Sequence, residues 1–254
     1  MIVCFNKYGR FLSCGEIVNY IYLPFNEYCG YRMTIVFPLK TGNLDYIVGI
    51  DREENIYFDI VGTIEYCSDG SLYRINSQTV GYNGLLIYTI GNTKIINLTL
   101  GCKFKSIGNV SIEHTHVIKA NDNLVSKIGN KSITYNMNSD DVSYSEAGSV
   151  HTFGDVLFDY ESNGKLYRVN GKSIGFYDQA YDREGCGDLL YGRCMWLNDD
   201  VYIKYQLGGL NAGRPIKIGN YSITYYVDTV DYGLPKTYKN RTIEYDKYRP
   251  SSIS

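Results

Sequence analysis

Residues 128–135 read Ile-Gly-Asn-Lys-Ser-Ile-Thr-Tyr, and this short stretch decides the fold of the chain. A Gly-Asn pair tolerates the positive φ angles that a two-residue β-hairpin turn requires. With Gly129 and Asn130 as the turn, Ile128 faces Lys131 across the antiparallel pair. Side chains alternate along a strand, so this register predicts one shared face. The residues predicted to lie on that face are Leu124, Ser126, Ile128, Ile133 and Tyr135.

The same hairpin element recurs along the chain. Gly-Asn copies occur at 90–95, 107–112 and 218–223, and a looser Gly-Asp copy occurs at 153–158. A longer repeat relates residues 66–82, YCSDGSLYRINSQTVGY, to residues 160–176, YESNGKLYRVNGKSIGF, where eight of 17 positions are identical. Each longer copy adds a second turn, at 68–70 and 162–164. The pattern predicts tandem antiparallel β-hairpins and an all-β fold.

The repeats leave two arrangements open. Residues 5–10 near one end resemble residues 245–249 near the other, so both ends carry the same part of the repeat. We expect an extended meander or wrapped sheet, in which each hairpin buries its apolar face against its neighbours. The alternative is a closed β-propeller or barrel, which leaves no edge strand exposed. In either case residues 1–254 are expected to form a single repetitive domain, with a divergent insertion near 179–205.

The tandem Tyr-Asp-x-x-Gly-x-Leu pattern resembles the tyrosine/aspartate β-repeat proteins, whose repeats build curved or wrapped sheets. The resemblance rests on residues 66–82, on residues 160–176 and on the two terminal stretches. It implies a scaffold or a surface-recognition protein. The family members that form shells around a toxin are much longer than this chain, so that role is not implied here.

The amino-acid composition makes several classes of function less favourable. Twenty-five Lys and Arg residues nearly balance 27 Asp and Glu residues, which disfavours a nucleic-acid partner. We find no apolar stretch long enough to span a membrane as a helix, and no signal-peptide pattern at the start. The seven cysteines are scattered and odd in number, which is typical of reduced thiols. These features favour a cytoplasmic location.

One pair of histidines is a candidate metal site. His114 and His116 are two residues apart, so in a strand both imidazoles point to the same face. A third ligand would have to come from elsewhere in the fold. His114 also occupies the repeat position that Tyr135 and Tyr225 hold, so filling an aromatic position is the alternative explanation.

The main candidate binding site lies in the divergent region, since function often resides where a regular scaffold is interrupted. Its aromatic side chains suit contact with a sugar ring or a partner side chain. The predicted ligand-binding residues are Trp196, Tyr191, Tyr202 and Tyr205.

These features favour a non-catalytic binding protein that presents a tyrosine-rich surface to a protein or glycan, with no cofactor. One alternative is a structural or assembly protein, such as part of a surface layer or a viral or phage appendage, with self-association into homo-oligomers. The other is an enzyme whose site lies within residues 179–205, near Asp199 and Asp200. The sequence contains no nucleophile or phosphate-binding motif, so catalysis is the least favoured role.

Overall fold

A computed structural model describes residues 1–25, 33–42, 44, 46–98, 103–115, 124–136, 148–177, 189–227 and 229–254. In these residues the fold is all-β and built from antiparallel hairpins, as predicted. None of them belongs to a helix with the length and apolar character to cross a membrane.

The described residues among the first 60 contain a seven-stranded N-terminal sheet. Its strands are β1 (Ile2–Phe5), β2 (Phe11–Val18), β3 (Ile21–Pro24), β4 (Thr34–Ile35), β5 (Phe37–Pro38), β6 (Ile47–Ile50) and β7 (Ile56–Asp59). They lie in the order β4-β3-β2-β1-β7-β6-β5. Only Val36 separates β4 from β5, so residues 34–38 pair with both ends of the sheet and nearly close it.

The remaining strands form a closed ring. They are β8 (Gly62–Tyr66), β9 (Leu72–Ile75), β10 (Gln78–Asn83), β11 (Leu86–Ile90), β12 (Thr93–Asn97), β13 (Phe104–Ile107), β14 (Val110–His114), β15 (Val125–Ile128), β16 (Lys131–Tyr135), β17 (Val150–Phe153), β18 (Val156–Tyr160), β19 (Leu166–Val169), β20 (Lys172–Ser173), β21 (Gly175–Phe176), β22 (Cys194–Leu197), β23 (Val201–Tyr205), β24 (Pro215–Ile218), β25 (Tyr221–Tyr225), β26 (Pro235–Tyr238), β27 (Arg241–Asp246) and β28 (Arg249–Ile253).

The ring corrects our preference for an extended meander, because the closed alternative is the observed one. The last strand, β28, pairs with β8, and Ile253 lies opposite Gly62. This pairing has the geometry of the tight hairpins. Ser254 donates its backbone N–H to Thr242, just as the turn residue Gly129 donates to Ser111 in an internal hairpin. The pairing of Ile253 with Gly62 therefore joins two strands far apart in sequence in the way that a tight turn joins adjacent strands elsewhere in the ring.

The tight turns have the predicted register. Ile128 pairs with Lys131, Val169 with Lys172, and Ile218 with Tyr221. Gly129 and Gly219 have φ values of 58° and 55°, which the first central residue of a type II′ turn requires. The turn residues alone were therefore enough to predict which strand residues pair.

The predicted side-chain faces are wrong in the strand before each turn. Val125 and Ile128 are the buried residues of β15, whereas Ser126 is partly exposed. The cause is a β-bulge, because Glu113 pairs with Lys127 but the next residue, His114, pairs with Val125. The extra residue moves the inward position by one and increases the local twist.

Ten such bulged pairs occur among the described ring strands, one between each hairpin and the next. The residue facing the bulge is aromatic in most of them. These residues are Tyr66, Tyr82, Asn97, His114, Tyr135, Tyr160, Phe176, Tyr205, Tyr225 and Tyr245.

The N-terminal sheet packs against the apolar inner face of the ring, and the two share one hydrophobic core. Aromatic pairs join them at widely separated points, with ring centroids 4.9 Å apart for Phe37 and Phe153 and also 4.9 Å apart for Phe25 and Tyr238. Strand β1 is buried on both faces, since its outer side chains meet the ring and its inner ones form a second small cluster.

The repeats therefore begin at Gly62, and the residues before it belong to a different sheet. The similar terminal stretches are both hairpins, but residues 5–10 connect β1 to β2, whereas residues 245–249 lie in the ring. Of the region 179–205, β22 and β23 keep the regular ring pattern. Residues 178–188 lie outside the described residues.

Candidate functional site

Trp196 forms the centre of an outward-facing aromatic platform. It pairs with Gly175 across β21 and β22, and its indole ring covers that glycine. A Cβ atom placed on Gly175 would lie only 2.1–2.4 Å from three atoms of the ring. Tyr202 pairs with Trp196 on the other side, at a ring-centroid distance of 6.2 Å. Trp196 is partly exposed and Tyr202 is 56% exposed, so the two rings form a surface that a ligand can reach.

Hydrogen bonds hold the indole in place. Its Nε1 donates to the hydroxyl of Ser173 at 3.1 Å, and that hydroxyl donates to Asp199 at 2.6 Å. Asp199 also accepts the backbone N–H of Ser173 at 2.7 Å. These two bonds hold the pKa of the Asp199 carboxyl below its usual value. The platform therefore combines fixed aromatic rings with a carboxylate that stays ionised at neutral pH.

The other two predicted binding residues, Tyr191 and Tyr205, lie outside this platform. Tyr191 is 52% exposed, but no described contact joins it to Trp196. Tyr205 is buried, and its hydroxyl donates to the carbonyl of Cys194 at 2.8 Å. Its ring lies under the guanidinium of Arg193 at 5.7 Å. Tyr205 thus joins the two strands of its own hairpin instead of forming part of the exposed platform.

This use of tyrosine is general in the ring. The hydroxyls of Tyr82, Tyr135 and Tyr225 each donate to the carbonyl of the buried residue ten positions earlier. The aromatic positions were predicted from the sequence, but with a recognition role for the tyrosines and without this structural one. The regular spacing, ten residues in these three pairs and eleven for Tyr205 and Cys194, was the signal that could have revealed it.

His114 occupies one of these aromatic positions and has a different partner. Its Nε2 lies 3.0 Å from Oε1 of Glu54, which is fully buried. The same oxygen accepts the backbone N–H of Phe104 at 2.8 Å, and Oε2 lies 3.5 Å from the ammonium of Lys7. His116 lies outside the described residues, and no group of three metal-binding side chains occurs within the described ones. In the structure, His114 helps anchor the N-terminal sheet to the ring.

A cavity of about 840 Å³ lies between the N-terminal sheet and the ring hairpins that contain Ser149, Leu166 and Cys194. Asp51 lies in its wall, and burial raises the pKa of this carboxyl to about 6. It accepts two backbone N–H groups and hydrogen bonds from Asn55 and Tyr57. Burial also raises the pKa of the Cys4 thiol, so this cavity residue is poorly suited to act as a nucleophile.

Two neighbouring loops carry exposed apolar side chains. The loop between β23 and β24 exposes Leu210 by 76%, and the loop between β25 and β26 exposes Val230 by 80%. The two loops touch, because the guanidinium of Arg214 in the first lies against Gly233 in the second.

The sequence matches no model of a known protein family and no curated protein. The resemblance to tyrosine/aspartate β-repeats stays a prediction.

Proposed function

We propose that this protein is a non-catalytic binding module that recognises a glycan through the platform of Trp196 and Tyr202. The main support for this proposal is the position of the Trp196 indole, which lies over Gly175 and is fixed by its hydrogen bond to Ser173. The aliphatic C–H groups of a sugar ring pack well on such an aromatic face, and nearby polar groups then bind its hydroxyls. Asp199 offers an acceptor of this kind beside the platform.

Preorganisation supports this role. The platform lies on paired strands of a closed ring, so little side-chain freedom remains to be lost on binding. A protein partner would use the same rigid aromatic surface, and it is the alternative outcome of the test.

The test is a glycan-array screen of the wild type and of Trp196→Ala and Tyr202→Ala. We expect a wild-type signal on a small set of glycans, loss of that signal with Trp196→Ala, and a reduced signal with Tyr202→Ala. Tyr88→Ala is the matched control, because Tyr88 is also a partly exposed ring tyrosine, 36% exposed, and lies away from the platform. Glycan binding that survives Trp196→Ala, or a wild type that binds only proteins, would refute the glycan role.

A second candidate is self-assembly through the loops that expose Leu210 and Val230. Exposed apolar side chains on touching loops favour a protein contact. We expect the double variant Leu210→Ser/Val230→Ser to lower the molar mass measured by light scattering at high protein concentration. A wild type that stays monomeric over the whole concentration range argues against this role.

A further inference from the structure

We infer that the cavity between the N-terminal sheet and the ring is a binding site for a small aromatic anion. This site is separate from the glycan platform proposed above. Its volume, about 840 Å³, lies in the range of small-molecule pockets.

Most of the cavity wall is apolar or aromatic. Tyr22 and Tyr57 form an edge-to-face pair on the sheet side, with ring centroids 4.9 Å apart. Leu166 and Phe176 line the ring side. An aromatic ligand would therefore find ring partners on both walls of the cavity.

Among the described residues, one cation in the wall has no anionic partner. The ammonium of Lys165 lies 3.6 Å from the centroid of Phe176, and no described carboxylate or carbonyl binds it. The two acidic residues in the wall are already engaged. Glu53 pairs with Arg52 at 2.7 Å, and Asp51 accepts hydrogen bonds from Asn55 and Tyr57. Lys165 is thus available to an anionic group of a ligand.

The cavity also coincides with a departure from the ring pattern. In five of the corresponding contacts, a tyrosine hydroxyl donates to a backbone carbonyl, as Tyr225 does to Pro215 and Tyr205 to Cys194. Phe176 holds this position, ten residues after Leu166, but has no hydroxyl. The carbonyl of Leu166 therefore lacks that donor at a point where both residues line the cavity. An N–H or O–H group of a ligand can take its place.

The probe is 8-anilino-1-naphthalenesulfonate, which combines aromatic rings, one sulfonate and one N–H group. Its uncharged analogue, N-phenyl-1-naphthylamine, separates the role of charge from that of the rings. We expect fluorescence titration of the folded protein to give one site per chain, with tighter binding of the sulfonate than of the analogue.

Two substitutions address the proposed contacts. Lys165→Gln should weaken binding of the sulfonate about tenfold, leave binding of the analogue unchanged, and be rescued by Lys165→Arg. Phe176→Tyr restores the usual residue of the ring, so it should preserve or raise thermal stability while weakening both probes. Lys131→Gln is the matched control, because the ammonium of Lys131 also lies over a phenylalanine, Phe153 at 5.3 Å, outside the cavity wall.

Three results would overturn the inference. The first is a folded wild type that does not bind the sulfonate. The second is equal weakening by Lys165→Gln and Lys131→Gln, which indicates general attraction of the anion to lysines. The third is loss of binding in Leu210→Ser with none in Phe176→Tyr, which places the probe on the exposed apolar loops.

Discussion

The hydroxyl of Tyr66 donates a hydrogen bond to the carbonyl of Pro250, 2.9 Å away across 184 positions of sequence. Arg249 lies over the ring of Tyr66 at 5.1 Å. Tyr225, inside the ring, makes the same two contacts. Its hydroxyl donates to the carbonyl of Pro215 at 2.6 Å, and the guanidinium of Arg214 lies 5.6 Å from the centroid of its aromatic ring. The ring therefore closes with the same contact that joins the two strands of an internal hairpin.

The first prediction concerns this closing contact. Tyr66→Phe removes one partly buried hydrogen bond and should lower the free energy of unfolding by about 1 kcal/mol. Tyr225→Phe should cost a similar amount, because it removes the same bond inside the ring, and Tyr88→Phe on the surface should cost little. Urea denaturation measures all three. A Tyr66→Phe effect equal to that of Tyr88→Phe would mean that the closing contact contributes no stability.

The second prediction concerns Gly175. Alanine at this position places a methyl group against the indole of Trp196, so the ring must move away from the strand. We expect a loss of about 1–3 kcal/mol in the free energy of unfolding. Trp196 is the only tryptophan, so its fluorescence emission reports the displacement directly. Gly208→Ala is the control, since open space surrounds that position. Unchanged emission in Gly175→Ala would contradict the observed packing.

The third prediction concerns buried Glu54. Alanine at this position leaves His114 and the N–H of Phe104 without their acceptor, and it leaves Lys7 without its counter-ion. We expect a loss of about 3–5 kcal/mol in the free energy of unfolding. The neighbouring Glu53→Gln breaks an exposed ion pair with Arg52 and should cost at most about 1 kcal/mol. Equal effects of the two substitutions in urea denaturation would exclude an anchoring role for Glu54.

The fourth prediction concerns pH. Burial raises the pKa of Asp51 from 3.8 to about 6, so the native state binds this proton more tightly than the unfolded chain does. The contribution of Asp51 to stability therefore rises as pH falls through 6, and the ionised carboxylate lowers stability above that pH. Between pH 7.5 and pH 4.5, the wild type should gain about 2 kcal/mol relative to Asp51→Asn.

Thermal unfolding at several pH values measures this gain. Asp200→Asn is the control, because Asp200 is exposed in the turn between β22 and β23 and should leave the pH dependence unchanged. A parallel pH dependence of Asp51→Asn and the wild type would contradict the raised pKa.

Local chemistry explains what the sequence could predict. The glycine-containing turns determine their own pairing, so the partners of Ile128 and Ile218 follow from a few adjacent residues. The sequence carries a weaker signal from which the bulges could be predicted. Val125 and Ile128, like Pro215 and Ile218, are buried residues three positions apart, a spacing that simple alternation along a strand does not produce.

Long-range contacts explain what the sequence could not predict. No local signal relates Ile253 to Gly62, or Glu54 to His114, because the members of each pair are far apart in sequence. The residues predicted for the candidate site show the same difference between local and long-range contacts. Trp196 and Tyr202 are cross-strand neighbours that a hairpin assignment brings together, whereas Tyr205 is buried and packs against Tyr177, a contact that no local pattern indicates.

The closed arrangement has a consequence for how this protein can change over time. An open row of repeats can lengthen by one copy at either end without disturbing the rest. Here an added copy would enlarge the circumference, and the N-terminal strands would no longer fill the space inside. Insertions are accommodated in the connecting loops instead, so the number of copies is held constant while the loop surface is free to diversify.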